Sequence, residues 1–139
     1  MLDLKSFEKA INSLEQLILK MKDKELMNSL DEIVIYGLKA GIIQNFEFTY
    51  EISWKYIKRW LELNIGSSFV DGVSRRQLFR LAIEHHLIEN VDIWMDYHLA
   101  RNRTSHTYNL NTAEEVYKTA IEFLGDVKKL YKELELKND

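Results

Sequence analysis

Apolar residues recur along this chain at helical intervals. In the first segment Leu4, Phe7, Ile11, Leu14, Ile18 and Met21 follow one another at steps of three and four, the seam of a helix packed in a bundle. The last segment repeats the pattern with Val116, Ala120, Phe123, Val127, Leu130 and Leu134, and Thr112 followed by Glu115 predicts a capping box at its start. Between them a longer helix is predicted over about residues 40–64, with Ile43, Phe46, Tyr50, Trp54, Ile57 and Leu61 on one stripe. At about 100° of rotation per residue, Phe48 and Ile52 fall roughly opposite that stripe. A helix apolar on two sides needs two sets of neighbours. One is its own bundle; the other is a second copy of the chain, so a homodimer or higher oligomer is expected.

Two shorter helices are predicted in between. Ser74 and Gln77 form a capping box that opens one through His86, after the loop that runs from Gly66-Ser67-Ser68 to Asp71-Gly72. Asn90 or Val91 opens the next, which is expected to end near Asn109, where polar residues replace apolar ones. The β-rich run Glu32-Ile33-Val34-Ile35-Tyr36 sits in a helix-compatible stretch and reads as a short extra turn over residues 30–36. No proline and five scattered glycines mark no linker and no repeat. The expected fold is all-α: a four-helix-type up-and-down bundle with an additional short helix, one domain over residues 1–139.

Composition narrows the chemistry. A chain of 139 residues can bury one adequate core, and with no cysteine it has neither disulfides nor thiolate metal sites. The start, Met1-Leu2-Asp3-Leu4-Lys5-Ser6, lacks the order of a signal peptide, and no apolar run approaches the roughly 18 residues of a membrane span. A cytoplasmic protein without membrane contact is expected. Net charge is −3, so any nucleic-acid contact must be local. Lys55, Lys58 and Arg59, and likewise Arg75, Arg76 and Arg80, read as solvated helix faces.

No Gly-rich phosphate loop is present, so no nucleotide cofactor is expected on this chain. His85 and His86 diverge by about 100° and cannot chelate together. His98, Asn102 and His106 recur on one predicted face, but imidazoles eight residues apart cannot share an ion, and no metal is expected. Glu47 and Glu51 lie four apart, with Lys55 four beyond Glu51, an ion-pair ladder in which Glu47 is also open to a role at a cleft. Trp54 and Trp60 read as packing residues.

The informative stretch is Arg101-Asn102-Arg103-Thr104-Ser105-His106-Thr107-Tyr108. On a continuing helix Arg101, Ser105 and Tyr108 share a face with Trp94 and Tyr97. His106 lies about 140° from Arg101, so the two converge only at a tightened helix end or across a dimer axis. A guanidinium suits a phosphate, and imidazole is the side chain that titrates near neutral pH. Together they support metal-independent cleavage of RNA. The plainer alternative is a helix terminus whose cations complement the macrodipole.

Arg, four residues, His, one residue and Tyr is the signature of HepT proteins in the HEPN superfamily, and this chain resembles them. With the upstream run Ala40-Gly41-Ile42-Ile43-Gln44-Asn45-Phe46-Glu47-Phe48-Thr49-Tyr50-Glu51, it is also similar to nucleotidyltransferase substrate-binding proteins. The resemblance implies a HEPN-like helical homodimer whose shared cleft is lined by Arg and His of both copies, with a minimal nucleotidyltransferase as partner. It implies an RNase toxin silenced when the partner adds AMP to the motif tyrosine. Arg101 and His106 then become the catalytic pair, Tyr108 the AMP acceptor, and Asn102, Ser105 and Glu47 cleft-lining residues. The other reading is a non-catalytic subunit that presents a substrate or nucleotide to the nucleotidyltransferase.

Overall fold

In the computed structural model, which describes residues 1–138, six α-helices run in the order α1 (Lys5–Lys22), α2 (Lys24–Ser29), α3 (Glu32–Ile65), α4 (Arg75–Glu84), α5 (Val91–Asn102) and α6 (Leu110–Leu136). The apolar seams of α1 and α6 are buried as their periodicity predicts. Both pack on α3, which also touches α4 and α5, while α5 lies against α6. The result is a helical bundle of α1, α3, α5 and α6 with α4 laid against α3 and α5.

Helix ends are set by single side chains. Asp23, in extended backbone, closes α1 and caps α2 by accepting from the Leu26 N–H. The Ser74 hydroxyl caps α4 and the Asn90 amide oxygen caps α5, both where the sequence predicts a start. Gly66, at φ 103°, ends α3 in a conformation that side chains with a Cβ resist. His86 ends α4 at φ 61°, without glycine's freedom. Its N–H reaches the Ile83 carbonyl and the Leu87 N–H reaches the Ala82 carbonyl, each at 2.9 Å, the paired bonds of a Schellman stop.

Three boundaries differ from the sequence reading. The central helix begins at Glu32, so residues 32–39 are its first two turns, and the short extra helix is α2 instead. At 34 residues α3 is about 50 Å long. Its N-terminal turns leave Ile33, Val34 and Tyr36 exposed, which hides the helical stripe from a pattern search. The second difference is that α5 stops at Asn102, followed by a 3-10 turn over Thr104–His106. Third, α6 starts at Leu110, capped by Asn109, which accepts from the Asn111 and Thr112 N–H groups; Thr112 lies inside the helix rather than capping it.

The core nearest α5 is aromatic. Phe123 of α6 meets Phe46 at 5.1 Å, Tyr97 at 5.0 Å and Trp94 at 5.7 Å between ring centroids, all edge to face. That cluster fixes α5 against α3 and α6. On the outer side of α3, Phe48 is 56% exposed and Ile52 half-buried, so the second apolar face survives at Phe48. No helix among the described residues is long and apolar enough to cross a membrane.

Candidate functional site

The end of α5 is where buried aromatics give way to polar groups. Tyr97 is the last aromatic of the helix to point inward, its hydroxyl donating to the Asp126 carboxylate. Burial, then the Asp126 bond and charge, push the Tyr97 hydroxyl well above its usual range. One turn on, Arg101 turns to α3 and its Nε donates to Glu51 Oε1 at 2.6 Å. Glu51 Oε2 accepts from the Trp54 indole N–H at 3.1 Å. Burial alone raises the Glu51 carboxyl, but these two bonds and the Arg101 and Arg75 charges outweigh it and hold the group below its ordinary value. Among the described residues Glu51 forms no ion pair with Lys55, so the expected ladder is replaced by a contact between helices.

Beyond Arg101 the backbone tightens. The Arg103 N–H reaches the Ala100 carbonyl and the His106 N–H reaches the Arg103 carbonyl, both at 3.0 Å, in the i to i+3 spacing of a 3-10 turn. Arg101, Ser105 and Tyr108 therefore do not share one helix face, and His106 leaves the face of His98 and Asn102. His106 closes this 3-10 turn, and no hydrogen bond joins it to Arg101 among the described residues. Thr104 anchors the turn: its hydroxyl bonds Glu47 and also the Arg101 carbonyl. Glu47 thus holds the loop in place. Arg103 pairs with Glu115 at 3.0 Å on α6. Asn102, Ser105 and His106 are exposed, and Tyr108 is 83% exposed with its ring 6.4 Å from that of His106.

The structure adds residues that the sequence left on a solvated face or in the core. Arg75, at the start of α4, lays its guanidinium 3.6 Å over the Trp54 ring. Its Nη1 donates to the Tyr50 hydroxyl at 3.1 Å, and that hydroxyl lies 2.9 Å from His98 Nδ1. Burial pushes the Tyr50 hydroxyl up to about 12 against the pull of Arg75, so it keeps its proton. Arg75 Nη1 also lies 3.5 Å from Nδ1, so this nitrogen, facing a guanidinium donor and the hydroxyl, is assigned as the acceptor and the His98 proton is placed on Nε2. Partial burial and the Arg75 charge lower the His98 imidazole below its ordinary value, which keeps it neutral. Arg75, Tyr50, His98, Trp54, Glu51 and Arg101 thus form one connected polar group spanning α3, α4 and α5. No spacing rule finds it, because its members come from three helices; the available signal was the polar residues beside the α3 stripe.

Chemically, the arrangement offers two guanidiniums around one carboxylate, an exposed imidazole and an exposed phenol. A second feature lies beside it: a groove between the first turns of α3 and the start of α6, lined by Ile35, Tyr36, Ile43, Thr107, Leu110 and Ala113 among others.

Comparison with known proteins follows the same outline. A family model described as nucleotidyltransferase substrate binding protein like matches residues 2–136. A Haemophilus influenzae protein named "Probable ribonuclease HepT" is 34% identical over 138 residues, covering 99% of this chain and 94% of that one. A solved Haemophilus influenzae structure, described as revealing the fold of a substrate binding domain of a nucleotidyltransferase, superposes with a TM-score of 0.91 at 34% identity, over 96% of this chain and 99% of its own. A Thermus thermophilus crystal structure shares the fold at a TM-score of 0.71 and 23% identity, over 92% and 98% of the two chains.

Proposed function

This chain belongs to the nucleotidyltransferase substrate-binding-protein-like family, and on that premise we propose that it is the helical partner of a minimal nucleotidyltransferase and a metal-independent ribonuclease of the HepT kind. The observation that carries the reading is the Arg101–His106–Tyr108 motif at a tightened helix end, in a chain alike over 99% of its length to one named a ribonuclease. Arg101, its Nε taken by Glu51, has no acceptor for its two terminal nitrogens among the described residues and keeps them for a phosphate. His106 takes the proton of the ribose 2′-OH as that oxygen attacks phosphorus, and a proton is returned to the departing 5′ oxygen, leaving a cyclic phosphate and a free hydroxyl. A homodimer across the face carrying Phe48, next to the cleft residue Glu47, supplies the second copy of these groups.

Control falls to Tyr108. Its hydroxyl attacks the α-phosphorus of ATP on the partner enzyme; the new P–O bond forms, pyrophosphate leaves and the phenolic proton is lost. The attached AMP then fills the cleft with a charge that Arg101 can neutralise, blocking RNA by occupancy. The reading as a non-catalytic subunit is supported by the substrate-binding description of the Haemophilus influenzae structure.

The unmodified protein in EDTA should cleave RNA, and Arg101→Ala and His106→Ala should each abolish it. Full activity of His106→Ala rejects the assignment, and an inactive wild type selects the binding subunit. With ATP, magnesium and the cognate nucleotidyltransferase, peptide mass spectrometry should place AMP at Tyr108, and Tyr108→Phe should take none. Light scattering should show a dimer, with a buried interface on the order of 1,200 Å2 or more.

A further inference from the structure

We propose that Arg75 is a second phosphate seat, built to hold a nucleic-acid phosphodiester next to the one that Arg101 engages. The inference rests on the ribonucleotide-binding reading above and extends it to a residue outside the Arg-His-Tyr motif.

Arg75 is half-buried, yet it has no carboxylate partner among the described residues. Arginines drawn out of solvent are most often matched by an acid, and Arg75 is drawn part of the way. The nearest acid, Glu51, is already bonded by Arg101 and Trp54. What holds Arg75 is a flat contact on the Trp54 indole and its Nη1, which donates to the Tyr50 hydroxyl and lies 3.5 Å from His98 Nδ1. Nε and Nη2 have no protein acceptor among the described residues. The guanidinium is therefore pinned in orientation while two nitrogens keep their donors free, and ordering a long side chain in advance removes a cost that binding otherwise carries.

The neighbouring groups fit an anion and not a cation. With Nδ1, which faces the Tyr50 hydroxyl and Arg75 Nη1, assigned as the acceptor, Nε2 of the neutral imidazole presents an N–H at the part-exposed edge of the cluster. Asn102 Nδ2 lies 3.5 Å from Nε2, so a second N–H donor stands at the same edge. Arg75 and Arg101 are linked through the Trp54 ring and the Glu51 carboxylate, two cations on one anion within the connected group. Trp54 thus has two tasks: its N–H fixes Glu51, and with it Arg101, while its face fixes Arg75.

The test uses a fluorescent 2′-O-methyl oligoribonucleotide of about ten nucleotides, which cannot be cleaved through its 2′ oxygen, titrated at several salt concentrations. Arg75→Ala should weaken binding about tenfold and reduce the slope of log K against log salt by about 0.7, the loss of one phosphate contact on a single strand. Arg75→Lys should restore the slope with only part of the affinity, because the charge returns without the planar fork. Trp54→Ala should weaken binding in the same direction, while Trp54→Phe, which keeps a platform, should retain most of it. Circular dichroism and melting check that each variant folds; if Arg75→Ala does not, the Arg75→Gln variant replaces it. Wild-type affinity and slope in the folded neutral variant overturn the proposal. If the wild type binds the oligonucleotide with this dependence on Arg75 but cleaves no RNA, the ribonuclease reading fails and the seat at Arg75 stands. If the wild type does not bind it at all, both are rejected.

Discussion

Within α5, Trp94 and Tyr97 lie buried against Phe123, while Arg101, one turn further on, is held to α3 by one carboxylate and the chain beyond it stands in solvent. The first half of the helix is fixed by area and shape, which act from all sides and tolerate no gap. The end of the helix and the turn after it are fixed by a few directed polar contacts: Glu51 on Arg101, then Glu115 on Arg103 and Glu47 on Thr104. The difference separates two tasks on one element. The buried part of the helix fixes where the motif begins, and the turn beyond it leaves the His106 imidazole and the Tyr108 phenol exposed. Damage to each half should therefore read out in a different measurement.

The largest effect is expected in the buried half. Phe123→Ala should cost about 3–5 kcal/mol in chemical denaturation, because four aromatic rings lose their common neighbour. A smaller loss than that of any motif variant would break the comparison. Tyr97→Phe should cost about 1.5 kcal/mol, the bond to the Asp126 carboxylate, with no direct loss at the motif. In the exposed half, Arg101→Ala should cost about 1 kcal/mol, since Glu51 loses its cation but keeps the Trp54 N–H. Pairing it with Glu51→Gln should recover part of that stability and none of the RNA cleavage. His106→Ala should shift stability by less than about 0.5 kcal/mol while removing cleavage.

The smallest effect is a pH dependence confined to the polar half. His98 is lowered in the folded state by burial and Arg75, so the unfolded chain binds its proton first as pH falls. The corresponding stability is present above the imidazole's ordinary 6.5 and is lost as pH drops through the lowered folded value. Glu51, also lowered, contributes above its ordinary 4.5 and loses that contribution in more acid solution. Replacing His98 by Gln should flatten the first limb of a stability–pH curve and leave the second. An unchanged first limb would place the titration elsewhere.

The seams of α1 and α6, and the caps at Ser74 and Asn90, were legible because each is a local pattern: apolar spacing, or one acceptor beside free N–H groups. The first turns of α3 were not. Ile33, Val34 and Tyr36 stay exposed, so no polar face alternates with an apolar one there. The motif at Arg101, His106 and Tyr108 was legible as a signature, but its backbone was not, because a 3-10 turn and a helix continue the same residues equally well on paper. Arg75 and Glu51 looked like surface charges on their own helices. Only the packing of α3, α4 and α5 brings them together, through the ring of Trp54.

The stop at the end of α4 has a consequence for the history and the handling of this protein. A histidine occupies a left-handed position for which glycine is the natural occupant, so the fold carries a small unspent reserve. His86→Gly should raise stability by about 1 kcal/mol, because it relieves the Cβ clash at φ 61° and leaves both closing bonds in place. His86 belongs to neither the motif nor the polar group around Arg75. The substitution thus supplies a sturdier background in which weakened variants of either can still be purified, and a lineage under selection has the same margin open to it.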